Sequence, residues 1–482
     1  MLDGATLRIE HAGLQRHVNT GFHGRLFLAA SLLGALMRKA TRKLKCGGRK
    51  AAMHFVAPVD TLAASLQVPA MARNSPAPLQ ATLSIGLTVL VGVAVMLNYV
   101  DRGAVSIAAP LIKDEMGLSA TGYGYAVSAF FWTYVPMLLI AGWLADKISV
   151  YWLMAAGVGI WALATLLTGF TGGLVSLVIM RLAMGVGEGV AFPAASKLMA
   201  RAPDARRGVA NIAIAGGLAM GPLVGTLAGG AIMESFGWRP MFFIFGAVTL
   251  LWLLPWYRIR HQVDVPLPDE HLAVSATYGQ VLRTPSLWAM SAIHFTGTYA
   301  LYFVIAWLPL FLVKARGYSI TDMVLLTSMF YAGQTLAAVM AGVLTDRAIA
   351  KGRSPSHVRR YSMIILYTIA AFGVIAIGQV QSTPALVFWL LLTSLCYGAN
   401  TGFLFSVAQM LAGPASAGRW TGVQSAIGNL AGITGPVITG MIVDKAGYGP
   451  AFYLTAAIII GGVIAFAVGV PRIEPIKWGK RG

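Results

Sequence analysis

Charge is scarce in this chain of 482 residues: Asp, Glu, Lys and Arg make up 11% of it, against roughly 25% in an ordinary soluble protein. With 57% of the residues hydrophobic, too little polar material remains to clothe a water-soluble globule, and that class is excluded. Cysteine is nearly absent. Cys46 and Cys396 provide neither a disulfide framework nor a thiolate metal site. No Gly-x4-Gly-Lys-Ser/Thr stretch occurs, so nothing points to ATP hydrolysis. The apolar segments hold no nucleophile–base or metal-spaced cluster, so no enzyme, resident metal or cofactor is expected.

What the chain has instead is 55 glycines and long apolar runs, the composition of helices packed closely through small residues in lipid. The expected fold class is all-α integral membrane. Twelve segments reach the ~20 residues needed to cross a bilayer, near 81–109, 122–144, 151–171, 174–200, 208–233, 238–257, 286–312, 320–345, 361–381, 384–411, 420–443 and 449–471.

Lys and Arg outnumber Asp and Glu by 36 to 17, which in a soluble protein would raise the question of nucleic acid. Here the bases alternate with the spans. Lys147, Arg201, Arg206, Arg207, Arg258, Arg260, Arg283, Arg347 to Arg360, Arg419 and the tail residues Arg472 to Arg481 all fall on one side. The other side holds only Lys113, Arg239, Lys314, Arg316 and Lys445. The positive-inside rule makes the richer side cytoplasmic, with both termini on it and no nucleic-acid partner.

Residues 1–80 carry 11 Lys+Arg against Asp3, Glu10 and Asp60. Their one apolar run, Leu26 to Met37, is too short to span. The segment reads as a basic arm, disordered or lying on a surface, or as a start placed too far upstream with Met71 as the alternative initiator. Landmarks recur at offsets of 200 to 214 residues. Gly142-Trp-Leu-Ala-Asp146-Lys147 returns as Gly342-Val-Leu-Thr-Asp346-Arg347, Gly221 and Pro222 as Gly435 and Pro436, and Gly237-Trp-Arg-Pro240 as Gly447-Tyr-Gly-Pro450. The expected organisation is therefore a six-helix bundle over 81–257, a cytoplasmic linker over 258–285, a second pseudo-symmetric bundle over 286–471 and a basic cytoplasmic tail over 472–482.

Of 17 carboxylates, Asp101 and Glu188 alone lie well inside spans. An ionisable group there costs at least ~2.5 kcal/mol on insertion scales and is kept where it serves an ion or substrate path, or a structural ion pair with Arg102 or Arg181. Glu188 has no cation beside it in sequence and is the first candidate for a proton site. Asp101 is the second, with its protonation coupled to the neighbouring Arg102. Arg102 is the expected anion anchor, because a guanidinium stays charged and offers a fork that fits a carboxylate. Arg181 opens the small-residue stripe Gly185, Gly187, Gly189 and has a competing structural reading. The second half has no charge inside its spans. Its buried polar inventory, including His294, Tyr299, Tyr302, Tyr331, Gln409, Gln424, Ser425 and Asn429, is suited to neutral hydrogen bonds. The glycines at 217, 221, 225 and 229, and Gly428, Gly432, Pro436 and Gly440, read as packing faces.

The paired Gly-x-Leu-x-Asp-Lys/Arg loops, with Arg181/Gly185 and the Gly-Pro fifth helix, resemble the major facilitator superfamily. Asn98-Tyr99-Val100-Asp101-Arg102, Ser128-Ala-Phe-Phe-Trp-Thr-Tyr134, Gly187-Glu188-Gly-Val-Ala-Phe-Pro193 and Gly428-Asn429 resemble its anion:cation symporter family, which includes galactonate, glucarate and hexuronate transporters. The resemblance implies proton-coupled uptake of an organic anion, a sugar acid or other carboxylate, by alternating access. It implies Asp101 and Glu188 as protonation sites and Arg102, Tyr99 and Tyr134 in the substrate cavity. Asn429, Ser425 and Gln409 are the expected contacts from the second half. Asp146, Arg181, Asp346, Arg347, Gly221, Pro222, Gly435 and Pro436 are the expected gating residues. H+ is the expected coupling ion, with Na+ as the alternative.

The sequence departs from the family at Ser149-Val150-Tyr151, where a Gly followed by basic residues is usual, at Leu138 and Ile140, at Ser425, and at the glycines of the fifth helix. Fewer hydroxyl partners remain, so a less hydroxylated acid or a sulfonate is also a candidate. The expected setting is a monomer in the inner membrane, with the lipid bilayer and a small organic anion as partners. The competing readings are an efflux antiporter and a non-transporting anion sensor.

Overall fold

A computed structural model describes residues 85–200, 204–260, 276–413 and 416–478. The expected arm over 1–80, the Met71 start and the centre of the linker lie outside the described residues. Twelve helices are long and apolar enough to span a membrane: α1 Ile85–Ile107, α2 Ala120–Ala145, α3 Val150–Thr168, α4 Leu174–Leu198, α5 Ala213–Phe236, α6 Trp238–Arg258, α7 Pro285–Ala315, α8 Ile320–Ala350, α9 Pro355–Gln379, α10 Thr383–Ala412, α11 Ala417–Ala446 and α12 Tyr448–Gly469. This is a multi-pass membrane protein.

Matching devices start matching helices. Ser119 caps α2 by accepting from Gly122 N at 2.9 Å, and Ser319 caps α8 by accepting from Asp322 N at 3.0 Å. A side-chain oxygen there satisfies an N–H that the first helical turn leaves open. The sharp turns into α6 and α12 pass through Gly237 (φ 82°) and Gly447 (φ 75°), a left-handed backbone that disfavours any side chain. Equivalent turns at equivalent places give each half the same six-helix course.

Within the first half α1 packs on α5, α2 on α4, and α3 on α4 and α6; within the second, α7 packs on α11 and α12, α8 on α10, and α9 on α10 and α12. The halves meet along two seams, α2 with α11 and α5 with α8. Glycine sets the closeness of the first seam: a Cβ at Gly124 would lie 2.4 Å from Pro436 O, and one at Gly440 2.5 Å from Ala120 O.

Two spans differ from the sequence expectation. The first does not run to 109, because Pro110 has no N–H to continue the ladder and a separate short helix, Ala109–Glu115, starts there. The fourth is not continuous: its helix closes at Glu188, passes through Gly189 and Val190, and resumes as Ala191–Ala200. Glu188 thus ends a half-helix inside the bundle.

Candidate functional site

The pocket begins with the glycines that flank Glu188. A Cβ at Gly185 would fall 2.2 Å from Phe130 O of α2, one at Gly187 2.6 Å from Trp161 N of α3, and one at Gly189 2.7 Å from Met137 Cβ. Only hydrogen fits at these places, so α4 sits hard against α2 and α3 and its Glu188 side chain is directed at α1.

There it meets Arg102. Nε of Arg102 donates to Glu188 Oε2 at 2.8 Å and Nη2 lies 2.7 Å from the same oxygen, with Glu188 0% and Arg102 5% exposed. Nη2 also donates to Asn98 Oδ1 at 3.3 Å. The guanidinium carbon stands 4.7 Å from the Tyr99 ring, 4.8 Å from Phe130 and 4.7 Å from Tyr134. Three ring faces replace part of the hydration that the cation gives up on burial. Glu188 Oε1 has no protein hydrogen-bond partner.

The sequence neighbours Asp101 and Arg102 are not coupled as expected. Consecutive helical residues project about 100° apart, and Asp101 turns away to accept from Thr249 Oγ1 of α6 at 2.8 Å. The Trp161 indole also faces this carboxylate, and Asp101 is completely buried. The cation expected beside Asp101 belongs to Glu188 instead, from 86 residues away. Adjacency in sequence was the wrong measure of adjacency in the bundle.

Arg181 approaches the same Phe130 ring, at 4.9 Å. Its Nη1 donates to Met184 Sδ at 3.3 Å, its Nε has no protein partner, and it is 3% exposed. It lies about two turns into α4 from the end opposite the α2–α3 loop, so it is a buried neighbour of the site. Asp346 and Arg347, by contrast, are exposed in the last turns of α8.

One helical turn beyond Tyr134, Glu188 and Asn429 come Leu138, Phe192 and Ser425. With Ser196, Phe405 and Gln409 these line a cavity of about 430 Å³. It lies toward the linker end, the end that carries the α2–α3, α8–α9 and α10–α11 loops. Ser425 and Gln409 therefore line this cavity, while Tyr99 and Tyr134 box the guanidinium. Asn429 reaches the site through Tyr302, whose hydroxyl donates to Asn429 Oδ1 at 3.2 Å. The Tyr302 ring packs 4.4 Å from Phe131 and lies within electrostatic reach of Arg102. Tyr302 is a site residue to which the sequence pattern assigns no more than a buried polar place, and Phe130, Phe192 and Phe405 are site residues without a sequence signal of their own. Tyr302 was detectable, since it stands 200 residues after Arg102, the offset of the α2–α3 and α8–α9 loops.

The opposite end is shut. The Asp444 carboxylate of α11 accepts from Ala120 N and Thr121 N, both at 2.8 Å, a charge placed on the N-terminus of α2. Ser128 Oγ donates to Ile433 O at 2.6 Å, and Tyr123 OH donates to Ala306 O at 3.3 Å with its ring edge-on to Trp307. Lys314 pairs with Asp114, and Thr321 Oγ1 donates to Glu234 Oε1 at 2.9 Å. At the same end the Trp238 indole and the Arg239 guanidinium hold the Glu115 carboxyl below the usual range. Gly221 meets Tyr99 of α1, Gly435 meets Tyr299 of α7, and Pro436 O forms the α2 seam. Of the glycine–proline pairs expected to gate, Gly221 and Gly435 thus pack within their own half, while Pro436 borders the α2 seam and Pro222 lines a void with residues of the second half.

Residues 91–432 and 319–482 match the Major Facilitator Superfamily. The chain is 30% identical over 398 residues to a probable sulfoacetate transporter of Cupriavidus necator, covering 77% of this chain and 90% of that one. It is 27% identical over 395 residues to the hexuronate transporter of Bacillus subtilis, again covering 77% and 90%. A bacterial homologue of the human lysosomal transporter Spinster, solved in an inward-facing conformation, superposes with a TM-score of 0.64 at 18% identity over 82% of this chain and 96% of that one.

Proposed function

From a chain that belongs to the Major Facilitator Superfamily and is a membrane transporter rather than an enzyme, we infer a proton-coupled symporter that takes up an organic anion by alternating access. The observation that carries this reading is the buried Arg102–Glu188 pair, held in an aromatic box about one helical turn inward of the cavity. A carboxylate or sulfonate that docks on Arg102 must displace Glu188. Breaking a buried pair by withdrawing one partner costs on the order of 3–5 kcal/mol, or roughly two to four decades of affinity. A proton on Glu188 removes that cost, because the displaced side chain is then neutral. Anion and proton therefore load together, and Asp101, buried on Thr249 without a cation, is the second protonation site. Tyr302, Asn429, Ser425 and Gln409 contribute neutral hydrogen bonds from the second half.

We place the linker end and both termini in the cytoplasm of a cell with an inner membrane, on the distribution of Lys and Arg, and the working unit as a monomer. The substrate class is a sugar acid or other carboxylate. The apolar lining by Leu138, Phe192 and Phe405, together with the likeness to a probable sulfoacetate transporter, favours a sparsely hydroxylated member of that class or a sulfonate.

The test is uptake of labelled hexonates, hexuronates, small dicarboxylates and sulfonates into proteoliposomes under an imposed inward proton gradient. Accumulation of one class, collapsed by a protonophore, is the expected result. No gradient-driven uptake of any of them, or efflux driven in the opposite sense, would overturn the reading.

A further inference from the structure

On the sealed side of Arg102 lies a small void of about 20 Å³, room for about one water molecule. Both halves line it: Tyr99, Ser106 and Thr226 from the first, Thr327 and Tyr331 from the second, with Arg102 as its inner wall. The polar side chains here are deeply buried, Ser106 at 5%, Thr226 at 2%, Thr327 at 1% and Tyr331 at 6% exposed. Thr226 Oγ1 donates to Pro222 O at 2.7 Å and Ser106 shares a hydrogen bond with Tyr123, whereas Thr327 Oγ1 has no protein hydrogen-bond partner. A seam that only had to stay shut would be cheaper with aliphatic side chains, since a buried hydroxyl without a partner has lost its water for nothing. The void also lies on the way from Arg102 to the contact that closes this end between α5 and α8, Thr321 with Glu234.

We propose that this void is the collapsed inlet of the transport path, and that Ser106, Thr327 and Tyr331 form a hydroxyl station that receives the acidic head of the incoming organic anion before Arg102 takes it. The inference rests on the alternating-access reading above. Hydroxyls suit the task because each donates to an anionic oxygen without adding a charge that would hold the anion back. When the halves part at this end, the three side chains, now split between the two walls, become water-lined. When they close, the last water is what the void still fits.

Two experiments test it. In a chain whose Cys46 and Cys396 are replaced by serine, Thr327→Cys is exposed to a membrane-impermeant methanethiosulfonate from each side. Modification from the end opposite the linker only, slowed by saturating anion, is expected. Modification from the linker end, or none from either side while the parent chain still transports, overturns the station. Independently, Tyr331→Phe and Ser106→Ala should each raise KM for zero-trans flux from the sealed end by at least about tenfold, the loss of one hydrogen bond to a charged group. KM from the linker end should stay within about twofold. Equal changes from both sides, or none, contradict the proposal. Failure of the unmodified chain to move any organic anion would instead sink the symport reading on which it rests.

Discussion

Tyr99 and Tyr299 occupy matching places in the two bundles, each against a glycine of the helix that packs on it, Gly221 in one and Gly435 in the other. Three residues further on the likeness stops: the first bundle places Arg102 there and the second Tyr302. Among the described residues, the buried Asp, Glu, Lys and Arg side chains, Asp101, Arg102, Arg181 and Glu188, all belong to the first bundle. The second answers with hydroxyls, amides and the ring of His294. One backbone plan thus carries two chemistries. The charged half can load an anion and a proton together, while the neutral half can orient and release what is bound without a second strong attraction to overcome.

Predictions that break this division come first. Arg102→Ala leaves Glu188 a buried carboxylate without its cation and removes the anion's counter-charge, for a loss of about 3–5 kcal/mol; equilibrium binding should fall below detection. Arg102→Lys keeps the charge but loses the fork, and binding intermediate between the two is expected. Glu188→Gln keeps the shape and removes the titration. It should abolish accumulation driven by a proton gradient while preserving exchange of labelled for unlabelled anion, and loss of both would make Glu188 structural.

A smaller effect is expected at the latch between the bundles. Asp444→Ala removes two charge-assisted hydrogen bonds to the start of α2, at about 1.5–3 kcal/mol each before relaxation. Hydrogen exchange at Ala120 to Gly124 should accelerate by at least about tenfold, and unchanged protection would remove Asp444 from the closure. Tyr302→Phe sharpens the comparison from the neutral side. Losing one hydroxyl bond to Asn429 should cost about 1 kcal/mol, read as a roughly fivefold rise in KM with pH dependence unchanged.

The smallest effect is at the surface. Arg239 pairs with Glu115 at 2.6 Å, while the second bundle has Gly449 in the matching turn. Because Trp238 and Arg239 lower the Glu115 value, the contribution of this contact is present above pH 4.5, the ordinary glutamate value, and fades as pH falls below it through the lowered one. Trp238 fluorescence should report that fading, and Arg239→Gly should shift it back toward pH 4.5.

Much of this architecture is legible in the residues because lipid permits few alternatives. Apolar runs of spanning length, glycines where helices touch and a repeat of turn motifs lead directly to twelve helices in two bundles. The identity of the buried charges was equally plain. Their pairing stayed open between Arg102 and Arg181, because it depends on helix rotation: only when α4 is turned onto α1 does Glu188 fall to Arg102, and only when its 100° offset is drawn does Asp101 leave it. The break after Glu188 was also hidden, since Gly-Glu-Gly continues a helix or ends one according to what packs beside it. The aromatic box escaped for the same reason, as Phe130 is one of many phenylalanines until two guanidinium groups are found against its ring.

The central claim is that anion and Glu188 compete for Arg102 and that a proton settles the competition. Proton uptake on anion binding, followed with a pH indicator in weakly buffered detergent solution, tests it most directly. Addition of the transported anion to the unmodified protein should draw protons from solution, and the same addition to Glu188→Gln should draw measurably fewer at equal occupancy. Equal uptake by both proteins, or anion binding by the unmodified protein with no protons taken up, would contradict it.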